Sequence, residues 1–117
     1  MNAEGRLVVF VLDATSGEPA HNLPVKLMVR NRIDHDWHLL TESVTDQEGC
    51  IENFTFTIDT ENSPQYRLVY ETAHYFEQKN MNTFFPRINV DFRLIDENSV
   101  VLPLLISPFS YTTYKGS

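Results

Sequence analysis

Short apolar runs separated by turn residues dominate the chain. Residues 7–12, Leu-Val-Val-Phe-Val-Leu, form a β-branched and aromatic run that predicts a buried strand. It stops at Asp13, and Ser16-Gly17-Glu18-Pro19 reads as a turn. Residues 25–30 alternate apolar and polar over part of their length, as a half-buried strand does. Residues 31–36 are polar and loop-like, and 37–44 return to strand. Thr45-Asp46-Gln47-Glu48-Gly49 is a tight turn in which Gly49 suits a positive φ. Residues 50–56 alternate again, Ser63-Pro64 breaks the chain, and further strands are predicted over 66–70, 89–94, 100–106 and 111–114. One helix is predicted over 71–79, with Thr72 as its cap and Tyr75 and Phe76 packing inward from one face.

Seven or eight short strands with regular turn signals and one short helix describe an all-β, two-sheet sandwich. The 117 residues fit a single domain spanning 1–117, and the 42% hydrophobic content is ample for its core. A formal net charge of −7 with no Lys/Arg run argues against nucleic acid and anionic membrane as partners. No stretch approaches the roughly 18 apolar residues of a membrane span, and no secretory leader is visible. Cys50 is the single cysteine, so no intrachain disulfide can form, in keeping with a reducing, cytoplasmic location.

Four segments, in order along the chain, resemble one family. Val11-Leu12-Asp13-Ala14-Thr15-Ser16-Gly17-Glu18-Pro19-Ala20 is similar to the V-L-D-x-x-x-G-x-P-A signature of transthyretins and 5-hydroxyisourate hydrolases. Thr45 to Gly49 resembles their T-x-x-x-G turn. Phe84-Phe85-Pro86-Arg87-Ile88 with Phe92 resembles F-F-P-x-V-x-x-x-F. Residues 104–117, ending Tyr114-Lys115-Gly116-Ser117, resemble the hydrolases' L-L-L-S-P-x-x-Y-S-T-Y-R-G-S terminus and favour that branch over the hormone carriers. The resemblance implies two four-stranded sheets, a homotetramer built as a dimer of dimers, and ligand sites in a channel between dimers.

Carried over residue by residue, the family's site departs from its pattern. The His expected before V-L-D falls on Phe10, and the Arg expected after the middle glycine falls on Cys50. The H-x-H-x-P motif falls on Ser99-Val100-Val101-Leu102-Pro103, and Lys115 stands for an Arg. Phe10 and Val101 cannot exchange protons, and an ammonium lacks the bidentate fork of a guanidinium. On these grounds ordinary 5-hydroxyisourate hydrolase activity is not expected. The channel is left with an apolar wall of Phe10, Leu12, Val101, Pro103 and Tyr114, and with Cys50, Thr112, Lys115 and Ser117 as polar points. Cys50, Tyr114 and Lys115 are the candidate catalytic residues; the plain alternative for Cys50 is a small apolar side chain. Alternatively, these side chains simply fill the channel.

His35 and His38 lie three apart, with Asp34 or Asp36 nearby. Residues three apart on a strand point to opposite faces, so no metal is assigned, and no cofactor motif is present. His21 reads as exposed in a turn and His74 as a helix residue. The function expected from these residues is a diverged hydrolase-like protein that binds or transforms a small ring-containing metabolite of a specialised pathway. A non-catalytic structural or partner-binding tetramer is the alternative. A third reading is a 5-hydroxyisourate hydrolase of purine (urate) catabolism that uses substitute residues.

Overall fold

The computed structural model describes residues 2–30, 35–59, 64–94 and 97–116. Its elements run β1 (Asn2–Asp13), β2 (Glu18–Pro19), β3 (Pro24–Arg30), β4 (His38–Val44), β5 (Cys50–Asp59), β6 (Gln65–Tyr70), α1 (Thr72–Glu77), β7 (Ile88–Phe92), β8 (Ser99–Ser107) and β9 (Ser110–Thr113). One sheet orders β2-β1-β8-β9 with β5 also paired to β1, and the other orders β4-β3-β6-β7. All pairs are antiparallel except β1 with β8, which run parallel in register from Arg6–Ser99 to Asp13–Ile106. The two sheets close over Leu7, Val9, Val11, Leu27, Phe54, Tyr66, Leu68, Leu104 and Ile106, each at most 2% exposed. Burying one such side chain stabilises by about 1.5–3 kcal/mol, so the alternation of these positions dictates which face of each strand turns inward.

The first strand differs from its prediction in a way that matters below. It is half-buried rather than wholly buried: Leu7, Val9 and Val11 enter the core, while Phe10 and Leu12 on the other face are 42% and 38% exposed. It also begins at Asn2, because the polar residues before Leu7 pair with the far end of β5, from Asn2–Asp59 to Arg6–Thr55. Gly5 permits this pairing; a Cβ there would lie 2.8 Å from both Ile58 and Phe56 side chains.

The helix needs a second correction. It spans Thr72–Glu77, its N-cap position is Glu71, and no side chain caps it. Thr72 is buried, and its hydroxyl donates instead to the Phe85 carbonyl at 2.6 Å. The helix is held by a different device at the far end of β1. Asp13, 1% exposed, accepts through Oδ2 from the Tyr75 hydroxyl at 2.8 Å and from Lys79 Nζ at 3.1 Å. Its Oδ1 accepts from the backbone N–H of Thr15 and Ser16 in the following turn. Burial disfavours the charged carboxylate, but the bonds from Tyr75, Lys79 and Thr15 together outweigh it and hold Asp13 below its ordinary value.

The two outer faces contrast. On the β4-β3-β6-β7 sheet, the guanidinium groups of Arg30 and Arg67 both pack over the Trp37 ring, at 4.7 and 4.2 Å. Arg67 there grips Asp91 with two bonds of 2.6 and 3.0 Å. On the β1-containing sheet the outer face is apolar where Val8, Phe10 and Leu12 of β1 meet Val101, Pro103 and Leu105 of β8.

Candidate functional site

That apolar face is where the sequence-derived site residues fall. Phe10 is registered against Cys50 on one side and Pro103 on the other. Antiparallel pairing of Leu104 with Thr113 and of Val101 with Gly116 brings Tyr114 alongside Pro103. One row of side chains thus runs across β5, β1 and β8 to the tail just past β9: Cys50, Phe10, Pro103 and Tyr114. The row above it holds Leu12, Leu105 and Thr112, and the row below holds Val8, Val101 and Gly116. Parallel pairing of β1 with β8 creates this alignment, because it sets the two apolar strands side by side without a register shift.

A cavity of about 210 Å³ is lined by Phe10, Leu12, Pro103, Leu105 and Tyr114 from the first two of these rows, by Pro19 of β2 and by Glu48 of the turn before β5. Small-molecule sites commonly enclose about 300–1,000 Å³, so one chain supplies part of a site rather than a closed one. Phe10, Leu12, Pro103 and Tyr114 therefore meet in one cavity; Val101 and Thr112 stand in the adjoining rows. Ser117 lies outside the described residues.

The tail is fastened from several directions. The Gly116 N–H donates to the Val101 carbonyl at 2.7 Å, and the Thr113 hydroxyl donates to the Pro103 carbonyl at 2.7 Å. A Cβ on Gly116 would lie 3.0 Å from the Val101 carbonyl oxygen, so the close approach needs glycine. Lys115 projects from this fixed backbone, is largely exposed, and pairs with Glu97 at 3.0 Å.

Cys50 lies opposite Phe10 but is 2% exposed. Burial, with the negative charges of Glu52, Asp46 and Glu48 beside it, pushes its thiol up to about 11. It is therefore a protonated thiol near neutral pH, poorly suited to act as a nucleophile. Ser107, a motif serine at the end of β8, bonds to the Ser110 hydroxyl at 2.7 Å and closes the β8–β9 turn. His21, His35, His38 and His74 are exposed, and none of them is among the cavity-lining residues. Among the described residues no group of three His, Cys, Asp or Glu side chains is placed to hold a metal ion; Asp34 lies outside them.

Glu48 was missed by a reading that followed family motifs alone. Its position is set by the turn it belongs to. Thr45, 2% exposed, receives the Leu23 N–H on its hydroxyl at 2.9 Å and donates to the Ala20 carbonyl at 2.6 Å. Asp46 Oδ1 then accepts the N–H groups of Glu48 and Cys50 at 2.9 and 3.0 Å. The Val11 N–H donates to the Gly49 carbonyl at 2.8 Å, tying the turn to β1 beside Phe10. The available signal was topological: a turn feeding the strand that pairs with Phe10 must bring its residues beside that side chain.

A two-sheet sandwich whose apolar outer face carries a partial cavity and a pinned C-terminal strand is the transthyretin-like arrangement. The chain belongs to the HIUase/Transthyretin family, whose model matches residues 7–116. It is 36% identical over 113 residues to the 5-hydroxyisourate hydrolase of Salmonella typhimurium, covering 95% of this chain and 80% of that protein. The structure of Klebsiella pneumoniae 5-hydroxyisourate hydrolase superposes with a TM-score of 0.72 at 29% identity, covering 97% of this chain and all of that one. Sea bream transthyretin in complex with thyroxine superposes with a TM-score of 0.81 at 31% identity, covering 94% of this chain and 93% of that one.

These likenesses correct the functional expectation. The principal reading, a diverged metabolite-binding protein outside ordinary hydrolase chemistry, rested on Phe10, Cys50, Val101 and Lys115. Relatives from Salmonella, mouse and fission yeast, 28–36% identical over nearly the whole chain, are named as 5-hydroxyisourate hydrolases, the last as a probable one, and they support the third reading instead. Four positions were too narrow a basis, because a hydrolytic site can draw its proton acceptor and its cation from any side chain that reaches the cavity.

Proposed function

We propose that this protein is a 5-hydroxyisourate hydrolase acting in purine (urate) catabolism, and that the cavity on the outer face of the β1-containing sheet is its active site. The observation that carries this reading is the convergence of Phe10, Leu12, Pro103 and Tyr114 on one cavity in a chain 36% identical to a 5-hydroxyisourate hydrolase. A flat heterocycle suits the space between the Phe10 and Tyr114 rings, which supply apolar faces. Lys115 follows Tyr114 on the pinned tail and is not itself among the lining residues; in this reading it exchanges its bond with Glu97 for one to an anionic oxygen of the substrate. Val101 and Thr112 extend the wall, Ser117 follows Lys115 at the end of the same tail, and Cys50 acts as packing beneath Phe10. No cofactor enters the scheme.

The reading includes a homotetramer, whose second copy completes the site. Its support is the size of the cavity and the exposed aromatic surface. Phe10, Tyr111 and Tyr114 are 41–57% exposed, and Phe84 and Phe109 are 70% and 71% exposed. Phe84, Phe85 and Tyr111 are stacked edge to face, and the Phe84 N–H is bonded to the Pro108 carbonyl, so these rings form a fixed patch. Light scattering at micromolar concentration should report four chains; a monomer would remove this part of the reading. Among the described residues no helix is long and apolar enough to cross a membrane, and the single cysteine suits a cytoplasmic setting.

The proposal is tested by following freshly generated 5-hydroxyisourate with wild-type protein and with Lys115→Ala. Wild type should accelerate its disappearance. Lys115→Ala should raise KM about tenfold or more, as expected for the loss of a charged hydrogen bond of about 1.5–3 kcal/mol. An unchanged KM would take Lys115 out of the site.

A further inference from the structure

Hydrolysis needs a group that accepts a proton from water while its oxygen attacks. Apart from Glu48 and the Tyr114 hydroxyl, the lining cannot do so: aliphatic side chains, two prolines and the Phe10 ring. Glu48 contributes the one carboxylate among the lining residues. It pairs with no cation among the described residues, whereas Lys115 is already matched with Glu97. Asp46, two residues earlier, spends Oδ1 on the backbone N–H groups of Glu48 and Cys50 and so fixes the turn. Of the two acids in this turn, one is structural and the other is among the residues that line the cavity.

We propose that Glu48 is the general base of the reaction, an assignment that rests on the hydrolase reading above. The carboxylate takes a proton from water as the water oxygen bonds to a carbonyl carbon of the bound ring. The ring C–N bond then breaks, and the departing nitrogen receives that proton. Water is thereby added across the bond, and the carboxylate is regenerated with no other reactant consumed. Lys115 and the two rings hold the substrate, so removal of Glu48 acts on the chemical step rather than on binding.

Steady-state kinetics of Glu48→Gln, Glu48→Asp and Glu48→Ala on 5-hydroxyisourate test this. Glu48→Gln should lower kcat about a hundredfold or more with KM within about threefold of wild type, the range general bases supply. Glu48→Asp should keep part of the lost rate, and formate added to Glu48→Ala should restore activity in proportion to its concentration. A purely structural role would show neither recovery. Wild-type kcat in Glu48→Gln, in a protein whose wild type is active, would overturn the assignment and leave the hydrolase reading standing. Loss of activity that neither aspartate nor formate recovers would also overturn it. Wild-type protein that fails to accelerate the reaction would remove the hydrolase reading and this assignment with it.

Discussion

Asp13→Ala should lower the stability of the fold by about 3 kcal/mol and the melting temperature by about 10 °C, the larger end of single-substitution effects. The substitution deletes four hydrogen bonds from a side chain that is 1% exposed. It leaves the buried Tyr75 hydroxyl without an acceptor, which alone costs about 1–3 kcal/mol. Lys79 keeps 39% of its side chain in solvent, so the freed ammonium is rehydrated and adds less. Asp13→Asn keeps an acceptor and should fall between wild type and Asp13→Ala in thermal or denaturant unfolding. The pH dependence has a definite sign. The folded-state carboxyl lies below its ordinary value of 3.8, so the stability it contributes is complete above that value. It is lost as pH falls below about 4, through the folded pKa. Asp13→Ala should lack this acid-limb component; a variant whose acid unfolding parallels wild type would show that other carboxylates govern it.

Gly49→Ala should be comparably damaging, and it couples stability to the site. Gly49 has φ of +72°, where an L side chain is strained by about 1–2 kcal/mol. Its Cβ would also lie 2.4 Å from the Val11 carbonyl oxygen and 3.1 Å from Pro19 Cβ. That carbonyl cannot retreat freely, because it accepts the Ala20 N–H at 2.9 Å while the Val11 N–H is bonded to Gly49 itself. We expect a loss of about 3 kcal/mol and a drop in kcat, since Glu48 and Pro19 move with the turn. Gly17→Ala is the matched control. Gly17 has a similar φ of +75°, but nothing lies within 4 Å of its Cβ position. It should cost only about 1 kcal/mol, the conformational part alone. Equal effects of the two substitutions on melting temperature would show that the contact with Val11 yields cheaply.

The strands, the turns at Gly17 and Gly49, and the two-sheet class were legible because side-chain alternation and turn chemistry are local properties. Features that depend on distant partners were not. The polar start of β1 gives no strand signal, and it becomes strand only because β5 extends to Asp59 beside it. Thr72 looks like a cap by position, yet its hydroxyl finds the Phe85 carbonyl, 13 residues away in sequence. The run at 7–12 reads as doubly buried because both faces are apolar; the sandwich buries only one, and the other became the cavity wall. For the site, Phe10, Leu12, Pro103 and Tyr114 were accessible through the family motifs. Glu48 was not, because its nearness to Phe10 comes from the β1–β5 register and the tie between Gly49 and Val11. That omission bears on function directly. The candidates named from the motifs were Cys50, Tyr114 and Lys115 and included no carboxylate, whereas the folded chain places Glu48 among the lining residues.

The hydrolytic role proposed for this outer face is measured by the decay of 5-hydroxyisourate with increasing wild-type protein. Recorded near neutral pH against the spontaneous reaction, the rate should rise in proportion to protein concentration and saturate with substrate. A rate that stays at the spontaneous value at every protein concentration, from a correctly folded sample, would contradict the account.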